Sequence, residues 1–129
     1  MEGEAPKKIL IVEDEPLLGN LLRQRLEKEG FSVTLARDGE EAFGLLRAGN
    51  LPNLILLDII LPKLSGFDLM QKINEEPVLL DARLPIVIIS NLGQEGDVQK
   101  GKALGAIGYF VKAQLSIEDL VSKVREFFA

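Results

Sequence analysis

The sequence contains neither cysteine nor histidine. Without cysteine the chain has no disulfide framework and no thiolate metal site. Without histidine it cannot supply an imidazole base, an imidazole ligand or a phosphohistidine, so any histidine chemistry must come from a partner. Long apolar runs are missing as well, and MEGEAPKK lacks the apolar core of a signal peptide. We therefore expect no membrane span and a cytoplasmic protein.

Basic residues are fewer than acidic ones. The chain has 15 Lys and Arg residues and 20 Asp and Glu residues, which gives a formal charge of -5. No stretch combines clustered basic residues with aromatic ones, so direct binding of nucleic acid is not expected. The 129 residues, of which 47% are hydrophobic, suffice for one compact domain with one core.

Short apolar runs rich in Ile, Val and Leu predict strands that are buried on both faces of a parallel sheet. Four such runs are present: KILIVE (8–13), LILLD (54–58), PIVIIS (85–90) and IGYFV (107–111). A fifth run, FSVTLA (31–36), alternates more between apolar and polar residues. This alternation suits an edge strand.

Helical patterns lie between these strands. The first, EPLLGNLLRQRLEKEG, ends at Gly30, where a left-handed cap is expected. The second begins at Asp38 as N-cap with Glu41 three residues on, GFDLMQKINEE follows the third strand, and the last helix begins at Ser116 as N-cap. Strands and helices alternate five times along the chain. This alternation predicts an α/β fold of the (βα)5 type, with a five-stranded parallel sheet and right-handed crossovers.

The fourth predicted helix, within GQEGDVQKGKALG, contains or borders four glycines: Gly93, Gly96, Gly101 and Gly105. A glycine inside a helix costs up to about 1 kcal/mol relative to alanine. We therefore expect this helix to be the least stable of the five. Close approach to a neighbouring helix, or turns at the ends of this helix, would explain the same glycines about equally well, and the sequence leaves both explanations open.

Polar residues interrupt or follow the apolar strands at their carboxyl ends. Glu13 and Asp14 follow the first strand, Asp58 the third, Ser90 ends the fourth, and Lys112 follows the fifth. Ligands of open parallel sheets bind beyond these ends, so we expect the five side chains to converge. Three carboxylates raise one another's pKa unless a cation lies among them, and Mg2+ prefers such oxygen ligands. Asp58 is then a candidate nucleophile toward phosphorus, with the metal and Lys112 neutralising the transferred charge.

Four motifs occur in an order and at a spacing that are similar to those of a known family. They are ILIVEDEP, LLDIILPKLSG, IIS and GYFVK, and Pro62 and Gly66 also lie at the expected distances after Asp58. From about Lys8 to Phe128 the chain resembles a response-regulator receiver domain of two-component signalling. The resemblance implies a flavodoxin-like fold with strand order 2-1-3-4-5. It also implies a receiver domain at residues 8–129, after an N-terminal extension at residues 1–7.

The resemblance implies a magnesium site. Glu13 and Asp14 match the acidic pair of the family, in which Asp14 would bind Mg2+ directly and Glu13 through water. Asp58 matches the phosphoacceptor, which is also a metal ligand. The backbone carbonyl of Ile60 matches the third protein ligand of the metal.

The resemblance also implies a phosphorylation switch. Ser90 matches the hydroxyl that binds a phosphoryl oxygen, Tyr109 the aromatic residue that rotates inward, and Lys112 the phosphate-binding lysine. The phosphoryl donor would be a histidine kinase or a histidine phosphotransfer protein. A downstream protein effector would then read the face formed by the fourth helix, the fifth strand and the fifth helix, and a phosphorylation-dependent homodimer stays open. The domain would be no enzyme beyond its own Mg2+-dependent phosphorylation and autodephosphorylation.

Two details of the sequence lead to further expectations. The family usually has proline after the lysine, often with a cis bond, whereas Ala113 follows here; a cis bond to alanine costs about 3 to 4 kcal/mol, so Lys112–Ala113 is either strained or trans. Ile60 and Leu92, two residues after Asp58 and Ser90, are apolar and cannot orient an attacking water, which predicts slow autodephosphorylation.

Three other classes of protein are alternatives to this interpretation. A flavodoxin-like electron carrier would need a hydroxyl- and glycine-rich phosphate loop where this chain has EDEP. A phosphatase of the haloacid dehalogenase type would need a second Asp where Ile60 stands. A receiver-like binding module that is never phosphorylated is the third alternative.

Overall fold

A single five-stranded parallel sheet organises the protein, and the computed structural model describes residues 5–129. The strands are β1 (Lys8–Val12), β2 (Ser32–Ala36), β3 (Leu54–Leu57), β4 (Ile86–Ser90) and β5 (Gly108–Val111), in the order β2-β1-β3-β4-β5. The predicted fold class and strand order are therefore confirmed, and β2 is an edge strand as expected. Of the predicted N-terminal extension, residues 1–4 lie outside the described residues.

The helices cover both faces of the sheet. They are α1 (Pro16–Lys28), α2 (Gly39–Arg47), α3 (Gly66–Glu75), α4 (Pro77–Ala82), α5 (Glu95–Ala103) and α6 (Ile117–Phe127). The predicted caps hold. Asp38 Oδ1 accepts a hydrogen bond from the backbone amide of Glu41 at 2.8 Å, and Ser116 forms a reciprocal capping box with Asp119. Gly30, after α1, adopts φ +97°, the left-handed conformation expected there.

One helix, α4, is absent from the sequence prediction of five alternations. Glu76 adopts an extended backbone after α3, and Pro77 opens α4 at its first position. Proline ends α3 because it lacks an amide hydrogen and its ring clashes with the preceding turn, but it is well suited to begin a new helix. The fourth and fifth helices of the prediction therefore correspond to α5 and α6.

The central strands are buried on both faces, as their continuous apolar runs predict. Alternate residues enter one core with α2 and α3, namely Leu10, Val12, Ile55, Leu57 and Ile88. The intervening residues enter a second core with α1 and α6, namely Ile9, Ile11, Leu54, Leu56 and Ile89. Because neither face of β1 or β3 is open to solvent, the ends of these strands are the places where polar groups can gather.

Candidate functional site

The carboxyl ends of β1 and β3 bring the acidic residues together. The backbone amide of Asp58 donates to the carbonyl of Val12 at 3.0 Å, which fixes the residue after β3 beside the end of β1. Carboxylate oxygens of Glu13, Asp14 and Asp58 lie within 4.8 Å of one another. Glu13 and Asp58 are only 1% and 4% exposed, whereas Asp14 is exposed. The structure thus places two buried carboxylates and one exposed carboxylate in one cluster.

Lys112 contacts both buried carboxylates. Its Nζ atom donates to Asp58 Oδ2 at 2.7 Å and lies 2.7 Å from Glu13 Oε1. The Lys112–Ala113 bond is trans, and Lys112 begins a 3-10 turn that extends to Gln114. Of the two alternatives for this bond, trans is therefore the observed one, and the ammonium reaches the cluster without a cis bond.

Burial and charge act in opposite directions on the ionisation of this cluster. Burial raises the pKa of Glu13, the contact with the Lys112 ammonium lowers it, and the charge of Asp58 raises it, so that the net pKa is raised. Burial also lowers the pKa of Lys112, but the hydrogen bond with Asp58, the close contact with Glu13 and the charges of both carboxylates outweigh this effect and raise the pKa overall. The ammonium consequently stays charged throughout the neutral range.

The donor set fits a hard divalent cation. Its three side chains offer only carboxylate oxygens, the ligands that Mg2+ prefers. Glu13 Oε1 is buried and, among residues 5–129, has no hydrogen-bond donor in good geometry, because its contact with Lys112 is an ion pair rather than an aligned hydrogen bond. An oxygen of this kind has a lone pair available for a metal or for a metal-bound water.

The predicted switch residues, Ser90 and Tyr109, are joined through Leu92. Ser90 is fully buried and pairs with Val111, the residue before Lys112. Its Oγ accepts from the backbone amide of Leu92 at 3.3 Å, and the Tyr109 hydroxyl donates to the backbone carbonyl of Leu92. Burial raises the pKa of Tyr109, with smaller contributions from Asp97 and Asp58. Two hydrogen bonds at Leu92 therefore connect the loop between β4 and α5 to Ser90 and to Tyr109.

Two backbone amides stabilise the loop after Asp58 by donating hydrogen bonds within it. The amide of Ile60 donates to Asp58 Oδ1 at 3.2 Å, while the Ile60 side chain is 59% exposed. The amide of Gly66 donates to the carbonyl of Ile59 at 2.9 Å. A Cβ atom on Gly66 would lie 2.8 Å from Ile59 Cα and still closer to the Asp58 carbonyl oxygen. Glycine is thus required beside the nucleophile candidate.

Sequence reasoning did not identify the specific role of Gly101. This residue of α5 is buried, and a Cβ atom there would lie 2.7 Å from Ile88 Cδ1 and 3.2 Å from Tyr109 Cδ2. The tyrosine ring therefore packs directly against the helix backbone. Gly96 has open space around it, so only one of the two glycines within α5 is required by packing. The glycine-rich pattern was visible in the sequence, but which glycine contacts Tyr109 depends on the tertiary structure.

Comparison with known proteins gives a consistent family assignment. The response regulator receiver domain family matches residues 9–125. The phosphate regulon transcriptional regulatory protein PhoB of Rhizobium meliloti is 40% identical over 118 residues, which are 92% of this chain and 50% of that protein. A probable transcriptional regulator, ycf27, of Guillardia theta is 37% identical over 122 residues, which are 95% of this chain and 45% of that protein. The chain spans about half the length of these relatives.

Solved structures share the fold over nearly the whole chain. A CheY-like response regulator receiver domain protein of Methanospirillum hungatei JF-1 is 27% identical, with a TM-score of 0.82 and coverage of 94% of this chain and 92% of that one. The receiver domain of the Francisella response regulator 1452 is 26% identical, with a TM-score of 0.81 and coverage of 93% and 94%. In residues 5–129, no helix has both the length and the apolar character needed to cross a membrane.

Proposed function

The chain belongs to the response regulator receiver domain family of two-component systems, and we propose that it accepts a phosphoryl group on Asp58 from a phosphohistidine of a partner protein. One observation carries this proposal. A buried carboxylate, 4% exposed, follows a central strand with an ammonium 2.7 Å from its Oδ2 atom and two further carboxylates in the same cluster. The ammonium would offset the negative charge that a phosphoryl group adds to Asp58, and the carboxylates could hold a divalent cation beside it.

In the proposed transfer, a carboxylate oxygen of Asp58 forms a bond with phosphorus while the bond between phosphorus and the imidazole nitrogen of the donor breaks. The nitrogen keeps the electron pair of that bond. Lys112 Nζ is already at hydrogen-bonding distance from Asp58 and would neutralise charge on the phosphoryl oxygens. The proposed ligands of Mg2+ are Asp14, Asp58, the Ile60 carbonyl and, through water, Glu13; when bound, the ion would supply further positive charge.

The proposed donor is a histidine kinase or a histidine phosphotransfer protein, because this chain has no histidine of its own. The surface next to the acidic cluster suits such a partner. Leu17 and Leu21 on α1 are 79% and 42% exposed, and they stand one helical turn apart just after Asp14. Exposed leucines beside a reactive carboxylate offer an apolar contact for the donor protein.

The proposed output is a shift between two arrangements of the β4–α5 loop. A phosphoryl group on Asp58 would accept a hydrogen bond from the hydroxyl of Ser90, which now accepts from the Leu92 amide. Tyr109, held by the Leu92 carbonyl, would then turn inward. A downstream protein, or a second copy of the chain, would read the face formed by α5, β5 and α6.

PhoB of Rhizobium meliloti and ycf27 of Guillardia theta, which are about twice as long as this chain, are described as transcriptional regulators. We therefore propose that the output of this domain reaches transcription through an effector rather than through its own contact with DNA. The formal charge of -5 supports this division, because an acidic domain is repelled by nucleic acid.

The test is intact mass spectrometry after incubation with Mg2+ and acetyl phosphate or phosphoramidate. We expect one phosphoryl adduct in the wild-type protein, and no adduct in Asp58→Asn or after addition of EDTA. Asp81→Asn, at an exposed aspartate of α4, is the matched control and should be phosphorylated normally. If a folded protein gives no adduct with either donor, the unphosphorylated binding module replaces this proposal.

A further inference from the structure

We infer that the unphosphorylated protein associates with a second copy of itself through an apolar groove at the amino end of the sheet, opposite the end that carries Asp58. The groove has a volume of about 430 Å3 and is lined in part by residues that precede β4 and β5. Three of its large apolar side chains are well exposed, namely Leu80 (51%), Ile107 (56%) and Phe127 (40%). Single exposed apolar side chains are common on protein surfaces, but three around one groove indicate an interaction surface.

Residues 80–84, at the end of α4, form one wall of this groove and have a defined shape. Leu80, Arg83 and Leu84 all line the groove. The amide of Arg83 donates to the carbonyl of Leu80 at 3.1 Å, and Arg83 adopts φ +51°, a left-handed conformation that is uncommon for residues other than glycine. The chain therefore turns directly after the helix and places an arginine beside two leucines.

The order of these five residues is complementary to itself when it is reversed. Residues 80–84 read Leu-Asp-Ala-Arg-Leu, which is apolar, acidic, small, basic and apolar. About a two-fold axis at Ala82, Asp81 would face Arg83 of the partner subunit. Leu80 would face Leu84 of the partner subunit in the same way. Ala82 is exposed, and its small side chain would let the two copies approach closely at the axis.

Charge favours a second copy over a partner of one charge sign. Among residues 5–129, neither Asp81 nor Arg83 forms a salt bridge. An acidic partner would pair with Arg83 but repel Asp81, and a basic partner would do the reverse. A second copy supplies both opposite charges at once. Its two ion pairs would add no net charge to the contact, although each chain carries a formal charge of -5.

This contact differs from the phosphorylation-dependent homodimer through α5, β5 and α6. It involves α4 and the amino end of the sheet, and it needs neither Mg2+ nor a phosphoryl group. The dimer should therefore form in EDTA and persist after phosphorylation. Because Asp58 lies at the opposite end of the sheet, it would remain accessible to a phosphoryl donor in both copies.

The experiment is sedimentation velocity of the unphosphorylated protein in EDTA, at concentrations up to the millimolar range. Leu80→Glu places a charge in the apolar contact. Asp81→Arg and Arg83→Asp each place like charges opposite one another, whereas the double variant Asp81→Arg/Arg83→Asp restores opposite charges across the two-fold axis. Leu51→Glu, at a leucine that is 37% exposed and lies outside the groove, is the matched control.

We expect the wild type to dimerise with a dissociation constant of about 10 to 100 µM, typical of a small interface. Leu80→Glu and each single charge variant should raise this constant about tenfold or more, the double variant should recover most of the loss, and Leu51→Glu should match the wild type. A wild type that stays monomeric, or that dimerises only after phosphorylation, would overturn the inference. So would a dimer that Leu80→Glu leaves intact, or a double variant that associates no better than the single ones.

Discussion

Lys112 Nζ donates a hydrogen bond to Asp58 Oδ2 at 2.7 Å, across 54 residues of sequence. The same ammonium lies 2.7 Å from Glu13, so one cation contacts two buried carboxylates. Lys112 and the proposed Mg2+ would therefore both offset the negative charge of these carboxylates, and each should compensate in part for the loss of the other.

Replacing Lys112 by methionine tests whether Mg2+ can compensate for the loss of the ammonium. Without the ammonium, Glu13 and Asp58 are buried with no cation, and we expect the free energy of unfolding in EDTA to fall by about 3 kcal/mol. Added Mg2+ should stabilise Lys112→Met more than the wild type, because binding to the folded state alone raises stability. Urea unfolding with and without Mg2+ measures both quantities. Lys102→Met, at an exposed lysine of α5, is the control; equal stability of both variants in EDTA would contradict the prediction.

Phosphorylation should change the fluorescence of Tyr109. The chain has one tyrosine and no tryptophan, so its emission reports on this residue alone. We expect a change when the hydroxyl leaves the Leu92 carbonyl, and we expect Ser90→Ala to reduce the change at equal phosphorylation. Ser32→Ala, at an exposed serine of β2, should respond as the wild type does. If Ser90→Ala gives the same change in fluorescence as the wild type, the movement of Tyr109 does not depend on Ser90.

The two glycines within α5 should respond in opposite ways to alanine. Gly96 has open space, so Gly96→Ala should raise the free energy of unfolding by up to about 1 kcal/mol. Gly101→Ala should lower the free energy of unfolding by about 1 to 3 kcal/mol, because its Cβ would press on Ile88 and the Tyr109 ring. Urea unfolding gives the signs, and hydrogen exchange of α5 amides tests whether Gly96→Ala stiffens the helix. A stabilising Gly101→Ala would show that the ring moves away at little cost.

The acyl phosphate on Asp58 should be long-lived. Ile60 and Leu92 are apolar, and neither can orient a water molecule for attack on phosphorus. Loss of the adduct, followed by mass spectrometry after removal of the donor, should be slow in the wild type and faster in Ile60→Glu. Val78→Glu, at an exposed apolar side chain of α4, should leave the lifetime unchanged. A wild-type lifetime of seconds would count against the prediction.

Acid should weaken the contact between α1 and α6. The guanidinium of Arg25 donates to both carboxylate oxygens of Glu118, at 2.8 and 2.6 Å, and these hydrogen bonds lower the pKa of Glu118 below its ordinary 4.5. Because the folded pKa is the lower one, this contribution is present above pH 4.5 and is lost as the pH falls through the folded value. The pH dependence of urea unfolding should therefore be weaker in Glu118→Gln than in the wild type. Glu126→Gln, at an exposed glutamate of the same helix, should keep the wild-type dependence.

The positions of the strands and of the helix starts were predictable because their signals are local, whereas the order of the strands in the sheet followed from the resemblance to a known family. Apolar runs mark strands that are buried on both faces, and a capping residue such as Ser116 satisfies amides within its own helix turn. The short helix α4 gave no such signal, since six residues are too few to show a helical period. Pro77 was the one available indication.

The acidic cluster was predictable to a similar degree, because parallel strands end at one edge of the sheet. What could not be predicted is how each side chain is held. The contact between Tyr109 and Leu92, and the packing of Gly101 on that tyrosine, depend on the distances between β5, α5 and the loop before α5. Such distances are tertiary properties, and no local residue pattern encodes them.

The strand order also bears on how the domain acquires its chemistry during synthesis on the ribosome. Because β1 pairs with β3 rather than with β2 alone, Asp58 can join Glu13 only after the chain through β3 has emerged. Lys112 directly follows β5, so it is synthesised after the residues of all five strands. The acids that follow β1 and β3 therefore emerge before the lysine that contacts them in the folded domain. Competence for the proposed phosphoryl transfer would consequently be a late event, and a domain that reacts would be one whose sheet is complete.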